Sequence, residues 1–175
     1  MPKLIARQTV YQGRAFNVRV DEVELRPGLT VPLDIIEHTG AVTMLPLDSD
    51  GWLWFIRQYR HSVGEVILEL PAGTLEAGED PAVGAARELQ EEIGMKSGHL
   101  EKLAGFWLAP GYSTEFMHLY LATDLTPSVL EQDEDEMIAV EKLRPAQALA
   151  LVARGELRDS KSLVALYLAA HRFGW

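Results

Sequence analysis

The chain has 175 residues, of which 47% are hydrophobic, and a formal net charge of −10. This length predicts one main globular domain with a substantial core, and the acidic charge argues against nucleic-acid binding, which relies on a basic surface. The absence of cysteine excludes disulfides and thiolate metal sites, so a reducing cytoplasm is the expected compartment. The N-terminus lacks the apolar stretch of a signal peptide, and no apolar run reaches membrane-spanning length, so no membrane partner is expected.

The first third of the chain is rich in strand signals. Residues 17–25 alternate in part between apolar and polar side chains, and residues 31–38 follow a turn at RPGLT. The pattern predicts a small antiparallel sheet of three strands over residues 1–38, ahead of a main domain over residues 39–175. Because an isolated small sheet is marginal in water, its apolar side chains must pack against the main domain or against a partner chain.

The middle of the chain predicts a hairpin. Residues 41–47 and 52–59 are strand-like and flank DSDG, which would place Gly51 in the turn. The remaining expected elements are strands over residues 103–109 and 115–122 and two C-terminal helices, one starting at Pro145 and stopping at Gly155, the other capped by Asp159 or Ser160.

One helix between these strands has clear start and stop signals. Asp80 is a good N-cap, Pro81 suits the first helical position, and Gly94 suits the residue just past the end. The apolar positions fall on one face and three glutamates on the opposite side, so the carboxylates are expected to point outward. The apolar face comprises Ala82, Ala86, Leu89 and Ile93, and the acidic face comprises Glu88, Glu91 and Glu92.

The acidic face belongs to a longer pattern. Like charges one helical turn apart repel, and an isolated ExxEE would usually be a solvated helix face. Here, however, residues 73–95 read GTLEAGEDPAVGAARELQEEIGM, in which seven identities and two apolar positions match the Nudix box at its fixed spacing. The chain therefore resembles the Nudix hydrolases. The resemblance implies an α/β fold, an α/β/α sandwich around a mixed sheet, and hydrolysis of a nucleoside diphosphate linked to another group.

The resemblance also implies a role for the clustered glutamates. Carboxylates at this spacing become favourable when they share hard divalent cations such as Mg²⁺, with Mn²⁺ or another divalent cation as the alternative. Such cations would bridge to the pyrophosphate and activate water. By resemblance, the metal ligands are Glu88, Glu92 and the backbone carbonyl of Ala72, Glu91 is a further ligand or a supporting catalytic acid, and Glu79 braces the loop, paired with Arg87.

Features outside the box resemble the ADP-ribose pyrophosphatases. QYR at residues 58–60 precedes ELPAG at residues 69–73, and Pro110 lies sixteen residues beyond Gly94 within the loop APGYSTE. An arginine is well suited to phosphate oxygens because its guanidinium is a planar fork of donors. By resemblance, the substrate-binding candidates are Arg60, the weaker candidate Arg57, Pro110 and Glu115.

An acidic loop, EQDEDEMI, follows at residues 131–138. A run of acidic residues is usually a solubilising turn, but the ADP-ribose pyrophosphatases often keep a catalytic glutamate at this place. One such carboxylate could serve as general base or as an extra metal ligand. By resemblance, Glu136 is the first choice for both roles, and Glu134 is the second choice for the base.

Together these features predict a Mg²⁺-dependent enzyme that hydrolyses ADP-ribose to AMP and ribose 5-phosphate. Two alternatives stay open: a pyrophosphatase for another nucleoside diphosphate sugar such as GDP-mannose, and a non-catalytic Nudix domain that senses a nucleotide. The intact glutamates argue against the sensor, which has no need to hold hydrolytic metals. By resemblance to the ADP-ribose enzymes, residues 1–38 are expected to reach the partner subunit of a homodimer.

Overall fold

The computed structural model describes residues 1–130 and 137–175, which contain ten strands and three helices. The acidic loop candidates Glu134 and Glu136 lie outside the described residues. The chain divides into two compact units. One comprises Met1–Gly40 and Phe106–Met117, and the other comprises Ala41–Gly105 and His118–Trp175.

The first unit is built on a three-stranded antiparallel sheet in the order β1–β2–β3, which confirms the expected N-terminal sheet. Asp21 on β2 accepts hydrogen bonds from Arg7 on β1 (2.9 and 3.0 Å) and from its neighbour Arg19 (3.1 Å). All ten residues of β1 are exposed, so this strand is an uncovered edge of the sheet. The strands are β1 (Lys3–Gln12), β2 (Asn17–Arg26) and β3 (Leu29–Glu37).

Residues 106–117 join the same unit through the end of β3. The backbone N–H of Ile36 donates to Tyr112 O (2.7 Å), and the N–H of Thr114 donates to Ile36 O (2.9 Å). The Thr114 hydroxyl also accepts a hydrogen bond from the N–H of His38 (2.9 Å). The APGYSTE loop is therefore bonded to the end of β3, a pairing that the sequence did not indicate.

The other seven strands form two sheets, in the orders β10–β5–β6 and β7–β4–β9–β8. Strands β8 and β9 extend well beyond the expected strands, and β8 begins directly after the first helix. The mixture of strands and helices confirms the α/β class. The strands are β4 (Ala41–Pro46), β5 (Leu53–Arg60), β6 (Glu65–Glu69), β7 (Ala72–Thr74), β8 (Met95–Trp107), β9 (Phe116–Pro127) and β10 (Ile138–Leu143).

The predicted hairpin around DSDG is right in its turn and wrong in its pairing. Gly51 lies in the turn with a φ of 80°, and the Asp48 carboxylate accepts a hydrogen bond from the N–H of Trp52 (2.8 Å). Beyond a single bridge between Leu47 and Leu53, however, β4 and β5 belong to different sheets. All six residues of β4 are buried, so its side chains show no alternation that would identify its neighbours.

Three helices complete the described fold: α1 (Pro81–Ile93), α2 (Pro145–Ala153) and α3 (Ser160–Phe173). The predicted ends of α1 are confirmed, because the Asp80 carboxylate accepts from two N–H groups of the first turn and Gly94 adopts a left-handed φ of 66°. Leu89 and Ile93 pack into the buried core, and full burial of a side chain of this size stabilises the fold by roughly 1.5–3 kcal/mol. None of the helices in the described part of the chain is long and apolar enough to cross a membrane.

Candidate active site

The glutamate face of α1 lies against strand β7 instead of facing solvent. Glu88 is 9% exposed and Glu92 only 1% exposed, so the expectation that these carboxylates point outward is wrong. Glu91 retains more solvent contact, with 24% of its side chain exposed. The helical periodicity separates apolar from acidic positions, but it cannot show that β7 covers the acidic side. Because a buried charge is costly without partners, Glu88 and Glu92 must be stabilised by the groups that they contact.

Glu92 is held at the start of β7. The backbone N–H of Ala72 donates to Glu92 Oε2 at 2.8 Å. Ala72 in turn pairs with Thr43 of β4, whose hydroxyl donates to Pro71 O at 3.1 Å. The structure therefore brings the Glu92 side chain next to Ala72, another residue of the predicted metal site. Strand β4 pairs with the backbone of Ala72 from the other side.

Glu88 lies against the backbone of Gly73, the first residue of the Nudix box. A Cβ atom at residue 73 would meet the Glu88 carboxylate at 1.9 Å, far inside contact distance. Glycine is required here because only a residue without a side chain lets the carboxylate approach so closely. We call Ala72, Gly73, Glu88 and Glu92 the box cluster.

Arg87 bonds three carboxylates beside the box cluster. Its Nη1 donates to Glu88 Oε1 (2.8 Å) and to Glu91 Oε2 (2.7 Å), while its Nε donates to Glu79 Oε1 (3.2 Å). The predicted pairing of Glu79 with Arg87 is thereby confirmed. Burial disfavours the charge of Arg87, but the hydrogen bond to Glu79 and the charges of Glu88 and Glu91 outweigh it and raise its pKa. Arg87 thus stays charged and offsets the repulsion among the glutamates.

Glu79 fixes the loop that leads into α1. Its Oε2 accepts a hydrogen bond from the backbone N–H of Glu76 at 3.0 Å. The hydrogen bond from Arg87 is the main cause that lowers the pKa of Glu79 below its ordinary value of 4.5, although burial opposes it. Glu79 is therefore ionised at neutral pH and holds Arg87 in place for the other two carboxylates.

The donor set around the box cluster fits a divalent cation. Glu88, Glu91 and Glu92 supply carboxylate oxygens, which Mg²⁺ and similar hard cations prefer. The space left by Gly73 lets the carboxylate of Glu88 lie beside the backbone of β7. Within residues 1–130 and 137–175, no group of three or more histidine or acidic side chains is already arranged to hold a metal ion. The donor chemistry supports a cation site, and the individual ligand roles stay predictions.

The two predicted substrate-binding arginines both have acidic partners. Arg60 forms a bidentate pair with Glu69 (2.8 and 3.0 Å) while 37% of its side chain stays exposed. Arg57 forms an ion pair with Glu141 on β10 and is 46% exposed. Residues three apart on a strand point to opposite faces, so the two arginines do not serve one surface of β5. Their contacts with substrate stay predictions.

The other predicted substrate residues, Pro110 and Glu115, lie in the first unit. Pro110 is exposed in a turn where the N–H of Ser113 donates to Ala109 O at 2.9 Å. Glu115 is half-buried, and its N–H donates to the Ser113 hydroxyl at 3.1 Å. Glu134 and Glu136 lie outside the described residues, so the identity of the general base stays a prediction.

Sequence reasoning missed a buried ion pair next to the box. Glu69 is 1% exposed and Lys161 is 7% exposed, and their ion pair joins the end of β6 to the first turn of α3. The two residues are 92 positions apart, so no local pattern links them. The available signal was an acidic residue inside the apolar stretch VILELP, because glutamate is rarely buried unless it is paired.

Comparison with known proteins shows the family to which this chain belongs. Residues 37–166 match the model of the NUDIX domain, and this range contains the whole box. The chain belongs to the Nudix family. Nudix hydrolases generally use divalent cations, which agrees with the donor chemistry of the box cluster.

Relatives of this Nudix protein cover nearly its full length. It is 37% identical over 168 residues to the ADP-ribose pyrophosphatase of Bacillus subtilis (strain 168). The alignment covers 94% of this chain and 90% of the relative. It is 36% identical over 166 residues to the methanol dehydrogenase activator of Bacillus methanolicus, with the same coverage. The crystal structure of an ADP compounds hydrolase matches with a TM-score of 0.87 at 27% identity, covering 99% of this chain and 94% of that chain.

Proposed function

We propose that this Nudix protein is a Mg²⁺-dependent ADP-ribose pyrophosphatase that hydrolyses ADP-ribose to AMP and ribose 5-phosphate. The box cluster carries the proposal, because it holds Glu88 and Glu92 together against Ala72 and Gly73. The similarity to a protein named ADP-ribose pyrophosphatase supports the choice of substrate. The spacing of Pro110 from the box supports it independently.

In this proposal the box cluster holds the cation. Glu88, Glu92 and the carbonyl of Ala72 would hold it as ligands, with Glu91 as a further ligand or supporting acid. A divalent cation bound there would supply positive charge to neutralise the pyrophosphate and would lower the pKa of water. The N–H of Ala72 fixes the direction of the Glu92 carboxylate. Arg87 limits the repulsion within the set of glutamates, so the carboxylates keep their places before the substrate arrives.

The substrate contacts come from residues outside the box. Arg60, whose side chain is 37% exposed, binds phosphate oxygens with its guanidinium. Arg57 is a weaker candidate because residues three apart on a strand point to opposite faces, so it does not share a surface of β5 with Arg60. By resemblance to the ADP-ribose pyrophosphatases, Pro110 and Glu115 of the APGYSTE loop are further candidates for contact with the substrate. Glu136, or Glu134 in its place, accepts the proton of the attacking water as general base.

A substrate panel tests the proposed function. The protein is incubated with Mg²⁺ and ADP-ribose, GDP-mannose, dinucleoside polyphosphates or oxidised nucleoside triphosphates, and kcat/KM is measured for each. We expect the highest value for ADP-ribose. A preference of about tenfold for another substrate, roughly 1.4 kcal/mol in transition-state binding, would reassign the substrate within the family. Tight binding of ADP-ribose without turnover would identify a sensor.

We also propose that the protein is a homodimer in which residues 1–38 reach the partner subunit. The support is the exposure of all ten residues of β1. Large apolar side chains are among them, including Leu4, Ile5 and Val10, each about half exposed. An uncovered apolar edge strand favours association with another chain.

A further inference from the structure

Arg60 is held by a buried charge network. Its Nε and Nη2 donate to the two carboxylate oxygens of Glu69 at 2.8 and 3.0 Å. The Glu69 side chain is 1% exposed, whereas 37% of the Arg60 side chain is exposed. The guanidinium is therefore anchored to an interior carboxylate while part of the side chain stays accessible to solvent.

Lys161 of α3 shares the same carboxylate. Its Nζ bonds Glu69 Oε2 and lies 3.0 Å from Asp159 Oδ1, and its side chain is 9% exposed. Asp159 caps α3, where its other oxygen accepts a hydrogen bond from the N–H of Ser162 at 3.0 Å. Cations and carboxylates thus alternate along Arg60, Glu69, Lys161 and Asp159, which we call the charge quartet.

The charge quartet is joined to the backbone that enters the Nudix box. The N–H of Leu70, the residue after Glu69, donates to the Ser162 hydroxyl at 2.8 Å. Two residues later, the N–H of Ala72 donates to Glu92 at 2.8 Å. The segment from Glu69 to Ala72 is therefore fixed by α3 at one end and by α1 at the other.

We propose that Lys161 and Glu69 are positioning residues for substrate binding, which orient Arg60 and set the charge that it presents to the phosphates. The inference rests on the proposed function, in which Arg60 contacts the substrate. With Lys161 in place, Arg60 shares Glu69 with a second cation and the four formal charges balance. Without Lys161, the charge quartet keeps two carboxylates and one cation, so its net charge becomes negative and disfavours an anion bound at Arg60.

The alternative is that the ion pair between Glu69 and Lys161 only holds α3 against β6 and has no effect on substrate binding. Removal of one partner from a buried ion pair destabilises a fold in either case, so a lower Tm does not separate the two roles. A split between KM and kcat does separate them. The box cluster carries the chemical step, whereas the charge quartet acts on substrate binding through Arg60.

The test compares Lys161→Met and Lys161→Arg with the wild type in ADP-ribose hydrolysis at saturating Mg²⁺. We expect Lys161→Met to raise KM about tenfold with kcat within about twofold, and Lys161→Arg to restore most of the loss. In an Arg60→Ala background, Lys161→Met should change KM by less than about twofold, because effects that pass through one residue are not additive. An equal KM increase in both backgrounds would overturn the proposal.

Arg172→Met is the control. Arg172 forms an exposed ion pair with Glu101 on β8, so it links α3 to the sheet that does not contain Arg60 or Glu69. We expect the KM of Arg172→Met to match that of the wild type. A KM increase similar to that of Lys161→Met would overturn the proposal, because the loss of any link between α3 and a strand would then have the same effect.

Two further outcomes are distinguishable. If Lys161→Met does not fold, Lys161→Gln takes its place, and failure of both to fold would overturn the positioning role in favour of a structural one. If the wild type does not cleave ADP-ribose, the proposed function fails by itself. The same variants are then compared on the panel substrate with the highest kcat/KM or, without turnover, by the calorimetric Kd of ADP-ribose.

Discussion

Gly73 and the Glu88 carboxylate occupy adjoining space: a Cβ atom at residue 73 would lie 1.9 Å from both Cδ and Oε1 of Glu88. Any side chain there must displace Glu88 from β7. Because Arg87 bonds Glu88 and Glu91 through the same nitrogen, a displaced Glu88 also disturbs the remaining carboxylates. The box glycine therefore controls the geometry of acidic residues that follow it by fifteen positions or more.

Gly73→Ala should lower kcat for ADP-ribose by roughly 100-fold, because a misplacement of about 1 Å at a catalytic group has an effect of that size. Steady-state kinetics across a range of Mg²⁺ concentrations measure the loss. The Tm of the variant shows whether the fold persists.

Gly155→Ala is the control for this substitution. Gly155 is exposed after α2 with a φ of 69°, so alanine there is strained by about 1 kcal/mol and should lower stability without changing kcat. Near-normal turnover of Gly73→Ala would show that Glu88 functions away from the position that the structure gives it.

Glu92→Gln should reduce kcat by roughly 100-fold or more, equivalent to about 2.7 kcal/mol, while the protein stays folded. The amide oxygen can still accept the hydrogen bond from the N–H of Ala72, so only the charge is lost. Glu88→Gln should behave similarly. Kinetics at saturating Mg²⁺, together with circular dichroism, provide the measurement.

Glu131→Gln serves as the acidic control, since this glutamate lies outside the box and is not a candidate ligand. Its activity should stay close to that of the wild type. If Glu92→Gln were equally active at saturating Mg²⁺, Glu92 would have to be removed from the ligand set.

Asp21 should make the first unit sensitive to acid. The hydrogen bond from Arg7 is the main cause that lowers the pKa of Asp21 below its ordinary value of 3.8, with Arg19 adding to the effect. A depressed pKa contributes stability that is complete above the ordinary value and is lost as pH falls through the folded-state value. The difference in urea midpoint between wild type and Asp21→Asn should therefore stay constant from about pH 7 to about pH 5 and shrink below about pH 4. A difference that is unchanged at the lowest pH would contradict this assignment.

Deletion of residues 1–12 should convert a dimer into a monomer. Light scattering should give the full-length protein about twice the chain mass of 19.5 kDa and the deletion variant the mass of one chain. This deletion removes only β1. A deletion through residue 38 would also remove the bonds that Ile36 and His38 make to residues 112–114.

Two results would count against the dimer proposal. A dimer that survives the deletion would rule out β1 as its contact. A full-length monomer with complete ADP-ribose activity would rule out a site shared between subunits.

Features set within one short segment could be predicted from the sequence. The ends of α1 follow from Asp80, Pro81 and Gly94, since capping and a left-handed glycine depend on the local backbone alone. The pairing of Glu79 with Arg87 lies within the box and follows from its resemblance to the family.

Features that join distant segments could not be predicted in this way. The burial of Glu88 and Glu92 depends on the position of β7, and the periodicity of α1 contains no information about that strand. The contact between Glu69 and Lys161 spans 92 positions. The separation of β4 and β5 into different sheets could not be predicted either. All residues of β4 are buried, so its sequence lacks the apolar–polar alternation that would indicate which strands lie beside it.

The first unit combines stretches of chain that leave the ribosome at different times. Its three strands are complete once residue 40 has been made, yet Thr114, which bonds the end of β3, lies 76 positions beyond His38. At roughly 5–20 residues per second, the nascent sheet waits about 4–15 s for this segment. During that interval the apolar side chains of the three strands are present in the nascent chain without the segment of residues 106–117 that completes their unit.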